Sequence, residues 1–287
     1  MKSWLVIPVH NRRALTLACV QHLDTLGVFE KHRVLIVDDG STDGTAEALR
    51  TTFPRAEILR GSGDLWWTGA IAAGMTHAFA RGADAVCWLN DDCHIKTDTL
   101  DRLEAHAQEN PRTIVAPSFL DEATGKPIAA GAFVGRTAIG AINQPVREVD
   151  GVSGFCVWIT REVWERVGPP DAKRFPHYCG DTSYMLAARR SGCRVHLLRD
   201  ATVTLVNYHE RPSTPGQYAA EKAGPHWSET FVSKRSPFRL ATMSAYLRLR
   251  YGAVAGTLLA VLRFCAWQCS WFFGLKDLPT NHTKHTK

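Results

Sequence analysis

An α/β domain on a mainly parallel sheet flanked by helices, with a C-terminal amphipathic, apolar helical tail, is the fold class this sequence predicts. Three observations predict it. Apolar runs of strand length alternate with helical stretches at short spacing through the first half of the chain. Two of these runs stop at paired acids, Asp38-Asp39 and Asp91-Asp92, as strands do where a sheet's carboxyl edge meets solvent. Beyond Val232 the composition changes, with nine basic residues against Asp277 alone.

Trp4 to Val9 is the first strand, and Ala14 to Gly27 carries apolar residues at 15, 19, 20, 23 and 26, one helical face. Val34 to Val37 is the second strand, the helix around Ala46 and Leu49 follows, and Ala56 to Leu59 is the third. Gly61 to Gly69 forms a loop before a small-residue helix over Ala70 to Arg81. Ala85 to Leu89 is apolar throughout, which suits a strand buried on both faces. A helix from Thr97 to about Glu109 and a strand from Thr113 to Ala116 continue the alternation. Asp121 to Asp150, rich in Gly and Ala, reads as a hairpin or insert. Gly154 to Ile159 is a strand, Arg161 to Val167 a short helix, a helix from Asp181 runs to Ser191, and Arg194 to Leu198 is a strand. Asn207 to Pro225, rich in Pro and Gly, reads as a mobile loop.

With 287 residues, 45% hydrophobic and 22% charged, the chain has material for one large domain or a domain with an appendage. No secretory leader is expected, because Met1-Lys2-Ser3 runs straight into strand-like residues. The eight Cys show no Cys-x-x-Cys spacing and several sit in apolar runs, so reduced thiols are expected. Net charge is +6, but the segment from Val232 onward carries +8 and the residues before it −2. The basicity belongs to the tail, and nucleic acid is not an expected partner of the main domain. Residues 1–118 would form a ligand-binding half, 119–231 the second half of the same domain, and 232–287 the tail.

Two acids in succession cannot both enter a core, since each carboxylate would leave water unpaired. At neighbouring strand ends the two pairs would face one crevice, where a hard cation could keep open positions for phosphate oxygens. Solvated turn residues and helix caps are the alternatives, and Ser41, Thr42 and Asp43 could cap the helix without Asp38 and Asp39.

The runs Ile7-Pro8-Val9-His10-Asn11-Arg12, Val34 to Thr45 (VLIVDDGSTDGT) and Leu89-Asn90-Asp91-Asp92 together resemble glycosyltransferase family 2, including its rhamnosyltransferase-like members. The resemblance extends more loosely to about residue 210. It implies the GT-A fold, a Rossmann-like sheet, and an inverting sugar transfer from a nucleotide-sugar, a UDP- or dTDP-sugar, with Mg²⁺ or Mn²⁺. Pro8, Val9 and Asn11 would line the base and ribose pocket, and Asp38 would bond the base, with Asp39 beside it. Asn90-Asp91-Asp92 would stand for the family's Asp-x-Asp motif. Asp92 would ligate the metal, Asp91 would contact ribose or metal-bound water, and Asn90 replaces the first acid. Asp64, Trp67 and Gly69 would lie by the nucleotide-sugar, although Trp is more often a packing residue. Gly154 and Gly180 would border the acceptor, and Asp181 would be the general base, where an Asp otherwise caps a helix. His209 would complete the metal or diphosphate site. A nucleotide-sugar-binding scaffold without turnover, as Asn90 suggests, and a nucleotidyltransferase are the alternatives. Neither a Ser-His-Asp set nor a Gly-x-Gly-x-x-Gly run after a strand is present.

In the tail, Leu240, Met243, Leu247 and Tyr251 share a helical face, and Ala253 to Leu275 is apolar apart from Arg263 and Gln268. A spanning helix would bury Arg263 at about 2.5 kcal/mol or more. An interfacial helix lets Arg263 reach headgroups while Trp267, Trp271, Phe272 and Phe273 sink into the boundary. A cytoplasmic protein held peripherally on the inner leaflet is expected, acting on a glycan or lipid-linked acceptor in polysaccharide synthesis. A helix packed on the catalytic domain or on a second subunit is the alternative.

Overall fold

The computed structural model describes residues 1–128, 132–135, 137–206, 208, 212–221 and 226–273. The first elements follow the alternation in the sequence: β1 (Ser3–Val9), α1 (Arg13–Thr25), α2 (Val28–Lys31), β2 (Arg33–Asp38), α3 (Thr45–Thr52) and β3 (Glu57–Arg60). Next come α4 (Trp66–Ala80), β4 (Ala85–Leu89), β5 (Cys93–Ile95), α5 (Thr99–Glu109) and β6 (Thr113–Asp121). Four short strands follow, β7 (Ala132–Val134), β8 (Thr137–Ile139), β9 (Val146–Glu148) and β10 (Gly151–Val152). Then come β11 (Cys156–Thr160), α6 (Arg161–Val167), α7 (Gly180–Arg190) and β12 (Arg194–Leu205). The described chain ends with α8 (Pro215–Glu221), α9 (Trp227–Phe231), α10 (Leu240–Tyr251) and α11 (Ala253–Phe273).

The main sheet has the order β3-β2-β1-β4-β11-β6-β12-β5, with β9 also against β12. Strands β3, β2, β1 and β4 pair in parallel, as do β6 and β12, while β11 runs antiparallel between β4 and β6. The expected insert is the three-stranded sheet β10-β7-β8. Every residue of β4 is buried, as its unbroken apolar run requires, and Trp4, Trp88 and Trp158 are among the largest fully buried side chains.

Two compact units divide the chain. Met1–Ala172 with Gly180–Tyr208 forms the first and contains both sheets. Lys173–Cys179 with His209–Lys287 forms the second. There, Tyr218, Phe231 and Phe238 make a buried aromatic cluster, with Leu240, Trp267 and Trp271 packed on it. The stretch expected to be a loop over Asn207 to Pro225 contains α8. Thr214-Pro215-Gly216-Gln217 is a helix start: Thr214 Oγ1 accepts the Gln217 N–H at 3.2 Å, and Gln217 Oε1 accepts the Ser213 N–H at 2.8 Å. Pro215 at the first helical position gives up an N–H that the helix would not use.

Candidate active site at the carboxyl edge of the sheet

Residues Val9, Asp38 and Arg60 stand in one register across the ends of β1, β2 and β3. The loops beyond β1 and β2 are tied together. Asn11 adopts a left-handed backbone, φ 52°. Its Oδ1 accepts the Thr42 N–H at 2.8 Å, and its own N–H donates to Ser41 Oγ at 2.9 Å. His10 Nδ1 donates to the Asp39 carbonyl at 2.6 Å, and the Asp39 N–H donates to the Val9 carbonyl at 2.9 Å. Val9 is buried and Pro8, in register with Val37, half-buried. The expected base-pocket residues thus meet at one strand edge.

Asp38 and Asp39 differ sharply in their surroundings. Asp38 is fully buried; its Oδ1 accepts the Ser41 N–H at 2.9 Å, but Oδ2 has no hydrogen bond and lies 3.6 Å from Arg60 Nη1. A buried carboxylate oxygen without a donor is rare and suits a ligand N–H. Asp39 instead clamps a loop, accepting the Gly63 N–H at 2.7 Å through Oδ1 and the Trp66 N–H at 2.9 Å through Oδ2. Gly40 makes this possible: at φ 70° a Cβ there would lie 2.9 Å from the Gly63 Cα.

At the end of β4, Asn90 Oδ1 accepts the Trp67 indole N–H at 2.8 Å. Asp91 is 1% exposed, and its Oδ2 accepts the Thr16 hydroxyl at 2.9 Å. Arg12 reaches across to both acids, with Nη1 at 2.9 Å from Asp91 Oδ1 and Nη2 at 3.2 Å from Asp92 Oδ2. Burial pushes the Asp91 carboxyl up to about 6 against the pull of Arg12, and the neighbouring Asp92 adds to the rise. Asp92 keeps 29% of its side chain exposed.

Asp181 lies in the first turn of α7, with Oδ2 accepting the Gly154 N–H at 2.9 Å and Oδ1 the Thr182 N–H at 2.7 Å. The Trp67 ring lies against Gly154, where a Cβ would come within 2.4 Å of it, and meets Trp88 edge-on at 5.6 Å. Gly180 packs on Thr68 of α4 in the same manner. Contacts therefore run from Asp181 through Gly154 and Trp67 to Asn90. Gly69 is buried in α4 against Leu65, and Asp64 is exposed, accepting the Trp66 indole N–H at 2.7 Å. His209 lies outside the described residues.

Arg12, Thr16 and Arg60 escaped the reading of the sequence. They lie at or beyond the ends of β1 and β3, ends that carry no acids of their own, so their only signal is that these strands flank the acid-marked ones in the sheet. Among the described residues no three His, Cys, Asp or Glu side chains group into a metal cage. Burial pushes the Cys19 and Cys93 thiols up, away from any nucleophilic thiolate.

Curated proteins offer no match to this chain. Solved structures share its fold. S. aureus TarS 1–349 in complex with UDP-GlcNAc superposes with a TM-score of 0.61 at 14% identity, over 98% of this chain and 77% of that one. GalNAc-T7 with UDP, GalNAc and Mn²⁺ gives 0.58 at 13%, over 97% of this chain and 58% of that one. The mannosyltransferase PcManGT from Pyrobaculum calidifontis, with GDP-Man and Mn²⁺, gives 0.56 at 17%, over 92% and 75%. The sequence model of glycosyl transferase family 2 matches residues 4–165, which hold β1 to β11 and most of the edge described above, and the chain belongs to that family.

Proposed function

We propose that this chain transfers a hexosyl or deoxyhexosyl group from a nucleotide-sugar to a hydroxyl of a glycan or lipid-linked glycan, with inversion at the anomeric carbon. The observation that carries the reading is the run of contacts from Asp181 through Gly154 and Trp67 to Asn90, which joins a candidate base to the acidic motif. The unbonded Asp38 Oδ2 supports a nucleobase N–H beside Arg60. By analogy with the UDP- and GDP-bound structures of similar fold, a nucleoside diphosphate sugar is the donor, and a UDP- or dTDP-sugar is the one we favour.

A divalent cation fits the donor set. Mg²⁺ and Mn²⁺ are commonly held by one or two carboxylates, with water and substrate phosphates completing the shell. Asp92, partly exposed at a strand end, would hold such an ion with Asp91 behind it. When bound, the cation offsets the charge that builds on the departing diphosphate. Asp181 takes the proton of the acceptor hydroxyl as that oxygen bonds to the anomeric carbon. The bond from carbon to the diphosphate oxygen breaks on the opposite face, its electron pair leaving with the diphosphate. A single displacement inverts the centre and needs no covalent intermediate. The apolar, basic tail is read as a peripheral anchor on the cytoplasmic face of a membrane.

Thermal shifts with a panel of nucleoside diphosphates, each with Mn²⁺ and with EDTA, test the donor and metal sites together. Stabilisation by one diphosphate, larger with Mn²⁺, is the expected result. No shift with any of them would overturn the reading.

A further inference from the structure

We propose that Arg12 is an internal counter-ion that occupies the acidic motif and keeps a divalent cation off it until a nucleoside diphosphate arrives. The proposal rests on the metal site put forward above.

The geometry carries it first. One guanidinium covers an oxygen of each acid, at 2.9 Å from Asp91 and 3.2 Å from Asp92. The remaining Asp91 oxygen holds the Thr16 hydroxyl, and Asn90 brings no charge. Two negative charges are thus met by one positive charge before any cation binds, and the metal's expected ligand is engaged.

The position of Arg12 is the second argument. It sits at the N-cap of α1, which has no acidic residue in its first turn and no side-chain cap. A cation at a helix N-terminus opposes the helix dipole, so helix stability does not explain Arg12 there. Its backbone is held in place by the left-handed Asn11, itself bonded to Ser41 and Thr42. The same first turn of α1 delivers both Arg12 and Thr16 to Asp91.

Exposure is the third. The Arg12 side chain is 43% exposed and Asp91 1%, so the guanidinium can swing into water while the carboxylate stays. A cation alone must break an ion pair to Asp91 and a charge-assisted hydrogen bond to Asp92. A cation arriving with a diphosphate brings further oxygen ligands and negative charge to meet the displaced guanidinium. Metal and nucleotide therefore bind with positive coupling, and Arg12 sets its size.

Mn²⁺ titrations of the full chain, read by the electron paramagnetic resonance signal of free Mn²⁺, test this with and without UDP or GDP. R12Q is expected to bind Mn²⁺ alone at least tenfold tighter than wild type, and the gain from diphosphate should shrink by a similar factor. R12K keeps the charge but loses the fork, so it should fall between the two. Mn²⁺ affinity in R12Q equal to or below wild type overturns the proposal. If R12Q does not fold by circular dichroism, R12K decides on the same criterion. D92N separates the two levels: wild-type Mn²⁺ affinity in D92N overturns the metal site itself, whatever Arg12 does.

Discussion

Asp181 gives the sharpest prediction at the scale of single residues. Its carboxylate accepts two backbone N–H bonds, and each oxygen retains a lone pair for an acceptor proton. Asp181→Asn should lower transfer by about 10²–10⁴-fold while leaving diphosphate-induced thermal shifts intact; unchanged turnover would remove Asp181 from the base role. Gly154→Ala tests the neighbouring contact. Its Cβ would meet the Trp67 ring at 2.4 Å, so one side chain must move. A loss of about 1–3 kcal/mol in denaturant unfolding is expected, and wild-type stability would mean that Trp67 is free to swing away. The acids of this site were legible in the sequence because an apolar strand announces its own end. Their partners were not. Arg12 meets Asp92 across 80 residues of sequence, and Trp67 meets Asn90 across 23. Nothing local in His10-Asn11-Arg12 says which carboxylate the arginine will find, and nothing local in Asp38-Asp39 says that Asp39 will also hold the Gly63 and Trp66 N–H groups.

Among elements, periodicity revealed most strands of the main sheet, though neither β5 nor β12 beyond Leu198, and not which way they run. The four apolar residues Cys156 to Ile159 of β11 have no direction, and antiparallel pairing between β4 and β6 is a property of the fold around them. In α8 the density of Pro and Gly hid a helix start, since Thr214-Pro215-Gly216-Gln217 has the capping-box sequence, with Gln217 reaching back to the Ser213 N–H. Thr214→Ala should cost about 1 kcal/mol, read as faster amide exchange within α8 and little change in β4. The packing of α5 on β12 makes a prediction about pH. His106 Nε2 and His196 Nδ1 lie 2.9 Å apart, so one nitrogen must accept and the two rings cannot both be imidazolium. Burial lowers both below the ordinary 6.5, with Arg194 opposing and Glu109 and Glu148 favouring the charged forms. Since the unfolded chain takes up these protons more readily, the contribution of the pair is complete above about pH 6.5 and is lost as pH falls through the lowered values. Wild type should lose Tm between pH 7 and pH 5, and His196→Gln should flatten that slope. An unchanged slope would assign the acid sensitivity to other groups, such as His32, also lowered by burial.

For the whole molecule, the strongest asymmetry is the one between a slightly acidic body and a tail of charge +8. Helix α11 gives that asymmetry a shape. Ala253–Phe272 is long and apolar enough to cross a membrane by length and composition. Its two sides differ, however. Trp267 and Trp271 pack on the aromatic cluster of the second unit, whereas Val254, Leu258, Val261, Leu262, Cys265 and Phe272 fall on one exposed stripe. At helical rise that stripe is about 27 Å long. A helix with one face on protein and the other bare suits an interfacial position better than a span, which would need apolar contact all round. Basic residues near such a surface add about 1 kcal/mol each on anionic lipid and lose it to salt. The chain should therefore sediment with vesicles containing anionic lipid, release at about 0.5 M salt, a strength at which surface charges are well screened, and ignore neutral vesicles. Leu258→Glu with Leu262→Glu should abolish binding without altering diphosphate-induced stabilisation. Retained vesicle binding in that double variant would rule out the stripe as the contact. A wild type that ignores anionic vesicles but dimerises in sedimentation velocity, with the double variant monomeric, would assign the same face to a second copy of the chain.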